Sequence, residues 1–118
     1  MSDQRLKKAV ALTIAVLFGF SLLAMVSFAF AQENEVGAAV YKKRCVMCHG
    51  EDGVGDTKAG KMTKTPDINT AEWKNGKTAA DLEKTLREGL GKMPKYEGKL
   101  SDDELKAVSE YTIAKFGQ

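Results

Sequence analysis

The sequence predicts an all-α protein, in which a helical domain follows an N-terminal apolar leader helix. Apolar residues recur at three- and four-residue spacing in several stretches, and no stretch of the domain shows the two-residue alternation of a half-buried strand. Two of the stretches open with a Ser or Thr that can cap a helix. The length of 118 residues suits one domain of this kind.

The leader combines a short basic head with a long uncharged run. Residues 9–31 carry no charged side chain and end in Ala29-Phe30-Ala31, which is typical of a signal-peptidase site. A run of this length also suffices for a membrane span. We therefore predict that residues 1–31 are a signal peptide, cleaved after Ala31, or an N-terminal membrane anchor. Residues 32–118 are predicted to form the domain.

The basic head predicts the side of the membrane on which the domain lies. Positive residues before an apolar run stay in the cytoplasm, so residues 32–118 are predicted to be exported to the periplasm. If the leader is retained, residues 9–31 contact the membrane. The domain carries 15 basic and 15 acidic side chains, since three bases and one acid precede it. This balance does not indicate a nucleic acid partner.

The first helix of the domain is predicted to begin at Asn34, which can act as its N-cap. Along it, Gly37, Tyr41 and Cys45 recur every fourth residue and share one face. Residues 51–67 follow as a long loop rich in Gly and Lys. A loop of this length needs something to pack against, and a bound group would serve.

Two further helices are predicted from their caps. Thr78 can begin a helix that runs to about Leu90, with Gly89 or Gly91 ending it. Residues 91–94 break the pattern. Ser101 and Glu104 then form a capping box that opens the last helix. Its predicted buried face is Leu105, Val108, Tyr111 and Thr112.

Cys45-Val46-Met47-Cys48-His49 is the most specific pattern in the chain. Two thiols three residues apart, followed at once by an imidazole, are typical of covalent haem attachment. Each thiol can add across one of the two haem vinyl groups, and the imidazole of His49 can then bind the iron. The pattern therefore predicts one haem c, bound through Cys45 and Cys48 and ligated by His49.

Other chemistries of the same residues are weaker alternatives. A zinc site needs four ligands, but the chain contains two Cys and one His, so carboxylates would have to complete the site. A thiol–disulfide oxidoreductase places this motif after a strand, and no strand pattern precedes Cys45. A structural disulfide between Cys45 and Cys48 would close a loop too small to restrain much of the unfolded chain.

With these residues placed, the chain resembles the small monohaem class I c-type cytochromes of bacteria over nearly all of residues 36–116. The matching motifs are Gly-x3-aromatic-x3-Cys-x-x-Cys-His before the loop and Gly-Lys-Met-Pro before the last helix. The matching residues are Gly37, Tyr41, Cys45, Cys48, His49, Gly91, Lys92, Met93 and Pro94. The resemblance implies a cytochrome c fold, with three to four helices wrapped around one covalently attached haem.

The resemblance also implies roles for single residues. Met93 would be the second axial ligand, and Met62 in the long loop is its rival. The carbonyl of Pro66 would accept the N–H of the axial His49. Trp73 would pack near a haem propionate, and Tyr111 in the last helix would cross the first helix at Gly37.

The function that follows is that of an electron carrier, which cycles Fe(II) and Fe(III) with His49 and Met93 as axial ligands and is not an enzyme. The implied partners are redox proteins: a cytochrome c reductase-type donor and an oxidase, reductase or reaction-centre acceptor. Two alternatives stay open, a haem-based sensor and a tethered subunit of a respiratory or photosynthetic complex. A peroxidase-like enzyme would need a distal His or Arg, and the chain has no second His.

Basic residues flank the segments expected to frame the haem. They could form a docking surface for acidic redox partners, or they could simply be solvated side chains. The set comprises Lys42, Lys43, Arg44, Lys58, Lys61, Lys64, Lys92, Lys95 and Lys99.

Overall fold

The computed structural model describes residues 2–116; Met1, Gly117 and Gln118, which belong to the predicted leader and domain ranges, lie outside it. Within residues 2–116 the chain forms six helices and two isolated bridges, with no strand. The prediction of an all-α fold is confirmed. The helices are α1 (Ser2–Arg44), α2 (Val46–His49), α3 (Lys58–Thr63), α4 (Ala71–Lys74), α5 (Ala79–Glu88) and α6 (Asp102–Lys115).

The chain divides into two compact units, Met1–Gln32 and Glu33–Gln118. The first unit contains an 18-residue window with a mean hydropathy of 2.5, none of it buried. That length and composition suit a membrane span, and a cleaved signal sequence has the same properties. Leader cleavage or retention therefore stays a prediction.

The predicted N-cap at Asn34 is wrong, because α1 continues through this residue to Arg44. Residues 32–36 contain no Gly or Pro that would end a helix. Asn34 thus lies in the helix interior. The helix ends instead where Cys45 begins the next turn.

The caps of α5 and α6 are confirmed. The Thr78 hydroxyl accepts the Asp81 N–H while the Asp81 carboxylate accepts the Thr78 N–H. Ser101 and Glu104 make the same reciprocal pair at the start of α6. Gly89, with φ of 77°, ends α5 in a conformation that a side chain would strain. These contacts lie within three residues along the chain, which is why sequence reasoning could find them.

The long loop expected at residues 51–67 contains α3, which sequence reasoning did not predict. Thr57 caps this helix by accepting the Gly60 N–H. Gly60 is buried, and a Cβ there would overlap the carbonyl oxygens of Gly55 and Cys48. The single turn forms because its glycine fits against the turn that carries Cys48.

The core lies among α1, α5 and α6. Gly37 lies against Tyr111, as the resemblance implies, and also against Ala107, and a Cβ at Gly37 would overlap both of them. Leu105, Val108 and Thr112 of α6 are buried as predicted, whereas Tyr111 is half-buried. The buried apolar cluster comprises Val40, Tyr41, Ile68, Leu82, Leu86, Leu105, Val108 and Phe116.

Candidate functional site

Cys45, Cys48 and His49 lie on one turn at the end of α1. The Cys45 N–H donates to the Tyr41 carbonyl at 2.8 Å, and the His49 N–H donates to the Cys45 carbonyl at 2.9 Å. Residues three apart on a helical turn share a face, so this turn presents both cysteines to the same side. Both are free thiols and half-buried. In the part of the chain that the structure describes, no three His, Cys, Asp or Glu side chains lie close enough together to hold a zinc ion.

Burial controls the protonation of these groups. Burial, with a smaller contribution from Cys48, raises the pKa of the Cys45 thiol to about 11, so Cys45 is a neutral thiol near pH 7. Burial also lowers the pKa of His49, which favours the neutral imidazole that binds metals. The Nδ1 atom of His49 is buried and has no hydrogen-bond partner.

Tyr41 supports the Cys45-to-His49 turn through a hydrogen bond at the end of that turn. Its hydroxyl donates to the Gly50 carbonyl at 2.9 Å, and its side chain is buried. The ring packs against Phe116 at 5.1 Å and Tyr111 at 5.8 Å between centroids. Tyr41 therefore ties the exit of the Cys45-to-His49 turn to α6.

Thr57 is a supporting residue that sequence reasoning missed. Its hydroxyl lies 2.7 Å from the Met47 carbonyl and 3.1 Å from the Cys48 carbonyl, as well as capping α3. The Gly55 N–H donates to the His49 carbonyl at 2.8 Å. A Thr followed by a helix-forming stretch is an N-cap signal, but sequence alone does not show which carbonyls it meets.

Met93 lies in a tight turn after α5. Leu90 and Met93 exchange two backbone hydrogen bonds, of 2.9 and 3.1 Å. The side chain is half-buried and packs against the core cluster, as does that of Cys45. Its rival Met62 is 70% exposed at the end of α3, so Met93 is the better placed of the two for a buried ligand.

Tyr96 also belongs to the site, and sequence reasoning did not single it out. Its hydroxyl donates to the Arg44 carbonyl at 3.3 Å, next to the first thiol. Burial, followed by the nearness of Cys45 and Cys48, raises the pKa of Tyr96. The only available signal was an aromatic residue three positions after Met93.

The roles expected for Pro66 and Trp73 depend on contacts not found among the residues that the structure describes. Gly55 passes close to the carbonyls of Thr65 and Pro66, but His49 Nδ1 makes no bond to Pro66, so that contact stays a prediction. Trp73 is half-buried in α4 and packs against the core cluster. The Lys77 ammonium lies 5.3 Å from its ring centroid. Its predicted position near a propionate also stays a prediction.

These residues fit a haem. Two free thiols on one turn suit the two vinyl groups, and an orphaned buried imidazole nitrogen in neutral form is available to a ligating or hydrogen-bonding partner. A half-buried thioether at Met93 packs against the same core cluster as the first thiol. Nitrogen and thioether sulfur are the axial donors typical of electron-transfer haems.

The sequence also resembles known proteins. The sequence model of the family described as cytochrome c oxidase, cbb3-type, subunit III matches residues 32–111. The Cbb3-type cytochrome c oxidase subunit CcoP of Azospirillum brasilense is 33% identical over 82 residues, which make up 69% of this chain and 28% of that protein. Cytochrome c6 of Euglena gracilis is 36% identical over 81 residues, 69% of this chain and 91% of that protein. Cytochrome c6 of Leptolyngbya boryana is 32% identical over 80 residues, 67% of this chain and 88% of that protein.

The all-α fold and these matches define a small c-type cytochrome. The chain belongs to the family described as cytochrome c oxidase, cbb3-type, subunit III. It spans about a quarter of the length of the oxidase subunits that it matches and about nine-tenths of the cytochromes c6.

Proposed function

We propose that this protein is an electron carrier that holds one haem c through thioether bonds from Cys45 and Cys48. His49 and Met93 are its proposed axial ligands. The observation that carries the proposal is the single turn that combines Cys45 and Cys48 with the half-buried imidazole of His49, whose pKa is lowered by burial. When bound, the haem supplies one-electron exchange between Fe(II) and Fe(III).

The residues of the chain have separate tasks in this proposal. The thioether bonds from Cys45 and Cys48 keep the cofactor in place between encounters with partners. His49 donates a nitrogen, and Met93 donates a soft sulfur that favours the ferrous state and raises the reduction potential. No substrate bond is made or broken, so the protein acts as a carrier and not as an enzyme.

The partners and location are also proposals. Membership of the family and the apolar run in α1 support a periplasmic domain that exchanges electrons with membrane redox complexes. The match to CcoP supports a tethered role beside a cbb3-type oxidase, whereas the matches to cytochrome c6 support a carrier that works between a cytochrome c reductase-type donor and an oxidase, reductase or reaction-centre acceptor.

Optical spectroscopy of the full chain, produced in a host that attaches haem, tests the proposal. We expect sharp reduced α and β bands and the weak near-infrared ferric band of iron–sulfur ligation. Met93→Ala should abolish the near-infrared band and lower the reduction potential by on the order of 100 mV, because axial ligands set haem potentials over about 0.8 V.

The matched control is Met62→Ala, which removes an exposed methionine from α3. It should leave the near-infrared band and the potential unchanged. A chain that attaches no haem would overturn the proposal. Loss of the band in Met62→Ala alone would assign the sixth ligand to Met62.

A further inference from the structure

We propose that Tyr96 is a positioning residue, which latches the Met93 segment (residues 89–96) onto the end of α1 beside Cys45. The inference rests on the proposed function, in which Met93 binds the iron. Its consequence is that Tyr96 limits dissociation of the sixth ligand. The side chain itself is not a ligand.

The Met93 segment is a stiff unit folded back onto the end of α5. Leu90 and Met93 bond each other through both backbone groups, and the Tyr96 N–H donates to the Leu86 carbonyl at 2.8 Å. A Cβ at Gly89 would touch the Met93 carbonyl oxygen and the Lys95 nitrogen, each at 3.0 Å. Because the turn is closed internally, Met93 moves with the segment and not independently of it.

Two side chains tie this segment to the rest of the site, one on each side of Met93. The Tyr96 hydroxyl reaches the Arg44 carbonyl at 3.3 Å, and the Lys92 ammonium reaches the Met62 carbonyl at 3.3 Å. Both bonds lie at exposed positions, so water competes for each of them. The Tyr96 ring, unlike the Lys92 side chain, is half-buried and packs against the core cluster, so less side-chain freedom is lost when its bond forms. The Tyr96 bond is therefore the better ordered tie.

The acceptor of the Tyr96 hydrogen bond, the Arg44 carbonyl, lies where α1 ends and the Cys45-to-His49 turn begins. Arg44 is the last residue of α1, and the Cys48 N–H that follows donates to the Cys45 carbonyl at 3.2 Å. Burial favours the neutral phenol of Tyr96 by raising its pKa, so it keeps its proton and remains a donor near pH 7. The bond thus joins the segment with the proposed sixth ligand to the segment with the proposed tethers.

A movement of the segment away from the end of α1 would carry Met93 off the iron, and the Tyr96 bond opposes this motion. Removing the bond should raise the population in which the sixth position is open. A ligand that binds only that population gains apparent affinity in proportion. Loss of one exposed hydrogen bond, at the low end of the usual range, corresponds to an increase of about 2- to 5-fold.

The test is Tyr96→Phe in the full chain with haem attached, titrated in the ferric state with imidazole. We expect imidazole to bind about 2- to 5-fold more tightly than to the wild type, and the near-infrared band to disappear at a lower temperature. Tyr111→Phe, which removes a hydroxyl from another half-buried tyrosine, is the matched control and should behave as the wild type. Equal imidazole affinity in Tyr96→Phe and the wild type would overturn the proposal.

A donor-retaining variant guards against a general loss of structure. Tyr96→Trp keeps an aromatic ring and an N–H donor, so it should bind imidazole less tightly than Tyr96→Phe, and equal affinity of the two variants would also overturn the proposal. Failure of the proposed function is distinguishable, because the wild type itself would then lack the near-infrared band. A wild type with the band and an unaltered Tyr96→Phe would refute the latch alone.

Discussion

Tyr41 shows how one side chain serves both the core and the candidate site. Its ring belongs to the buried cluster, while its hydroxyl donates to the Gly50 carbonyl directly after His49. Gly50 has φ of 77°, a conformation that glycine adopts without steric cost. The pKa of Tyr41 is raised strongly, mainly by burial and then by the nearby Cys45. The phenol is therefore neutral in the folded protein over the whole physiological range.

Tyr41→Phe should lower the free energy of unfolding by about 1–3 kcal/mol at pH 7, because the buried Gly50 carbonyl loses its donor. In the wild type, the unfolded chain releases the Tyr41 proton above about pH 10 while the folded chain retains it, so stability falls as pH rises through this region. Phe cannot ionise, and the difference between the two proteins should shrink from pH 7 to pH 11.

Denaturant unfolding at both pH values measures this difference. Tyr111→Phe is the control, because the Gly50 carbonyl keeps its partner in that variant. A difference that grows with pH would contradict the assignment of the raised pKa to Tyr41.

The crossing of α1 and α6 is the element-scale contact that supports the site. Gly37 lies against the Ala107 carbonyl and the Tyr111 Cβ, so the two helix backbones approach closely. One ion pair reinforces the crossing, between Lys106 of α6 and Glu33 of α1 at 3.2 Å. Because the Cys45-to-His49 turn follows α1 directly, this crossing helps to hold the start of the turn in place.

Gly37→Ala should destabilise the protein by about 1–3 kcal/mol, because the added methyl group has no space between the helices. Helix propensity alone predicts the opposite sign, a gain of about 1 kcal/mol. Thermal unfolding followed by far-UV circular dichroism distinguishes the two. A variant more stable than the wild type would show that the helices separate at no cost.

At the scale of the whole molecule, charge is balanced in total and uneven in position. The domain carries equal numbers of acids and bases, yet the predicted docking residues are exposed, and they flank the Cys45 turn, α3 and the Met93 segment. Lys61 is paired with Asp56, which weakens its contribution to any such surface. A docking role for this set stays a prediction.

If this set guides docking, the association rate with an acidic redox protein should fall by roughly tenfold between low and high salt, because screening removes the steering. Lys95→Glu combined with Lys99→Glu should slow association at low salt. Lys84→Glu, a charge reversal outside the set, is the control. Stopped-flow electron transfer measures the rate, and a rate independent of salt would exclude steering by these residues.

The leader has a separate whole-molecule test. Cleavage after Ala31 predicts a mature protein that begins at Gln32, because Ala-x-Ala is typical of a signal-peptidase site. Intact-mass spectrometry of the exported protein measures this directly, and Ala31→Tyr should block the cleavage. A wild-type mass that retains residues 1–31, recovered from membranes, would identify a permanent anchor.

The patterns that sequence reasoning predicted correctly are local. The caps at Thr78 and Ser101 involve partners three residues away, and the burial of Leu105, Val108 and Thr112 in α6 follows from helical spacing. The Cys45-to-His49 motif is local as well, because it consists of five consecutive residues, and the haem attachment that it indicates stays a prediction. Such features depend on residue order and not on how the chain folds back.

The sequence by itself thus determined the class of fold and the two capped helices, since neighbouring residues encode them, and the same locality underlies the prediction of haem attachment. Only the tertiary structure decided that Gly60 lets α3 pack on Cys48 and that Tyr96 bonds to Arg44. The last contact joins residues 52 positions apart. Contacts of this range depend on the path of the whole chain, which local propensity and spacing do not specify.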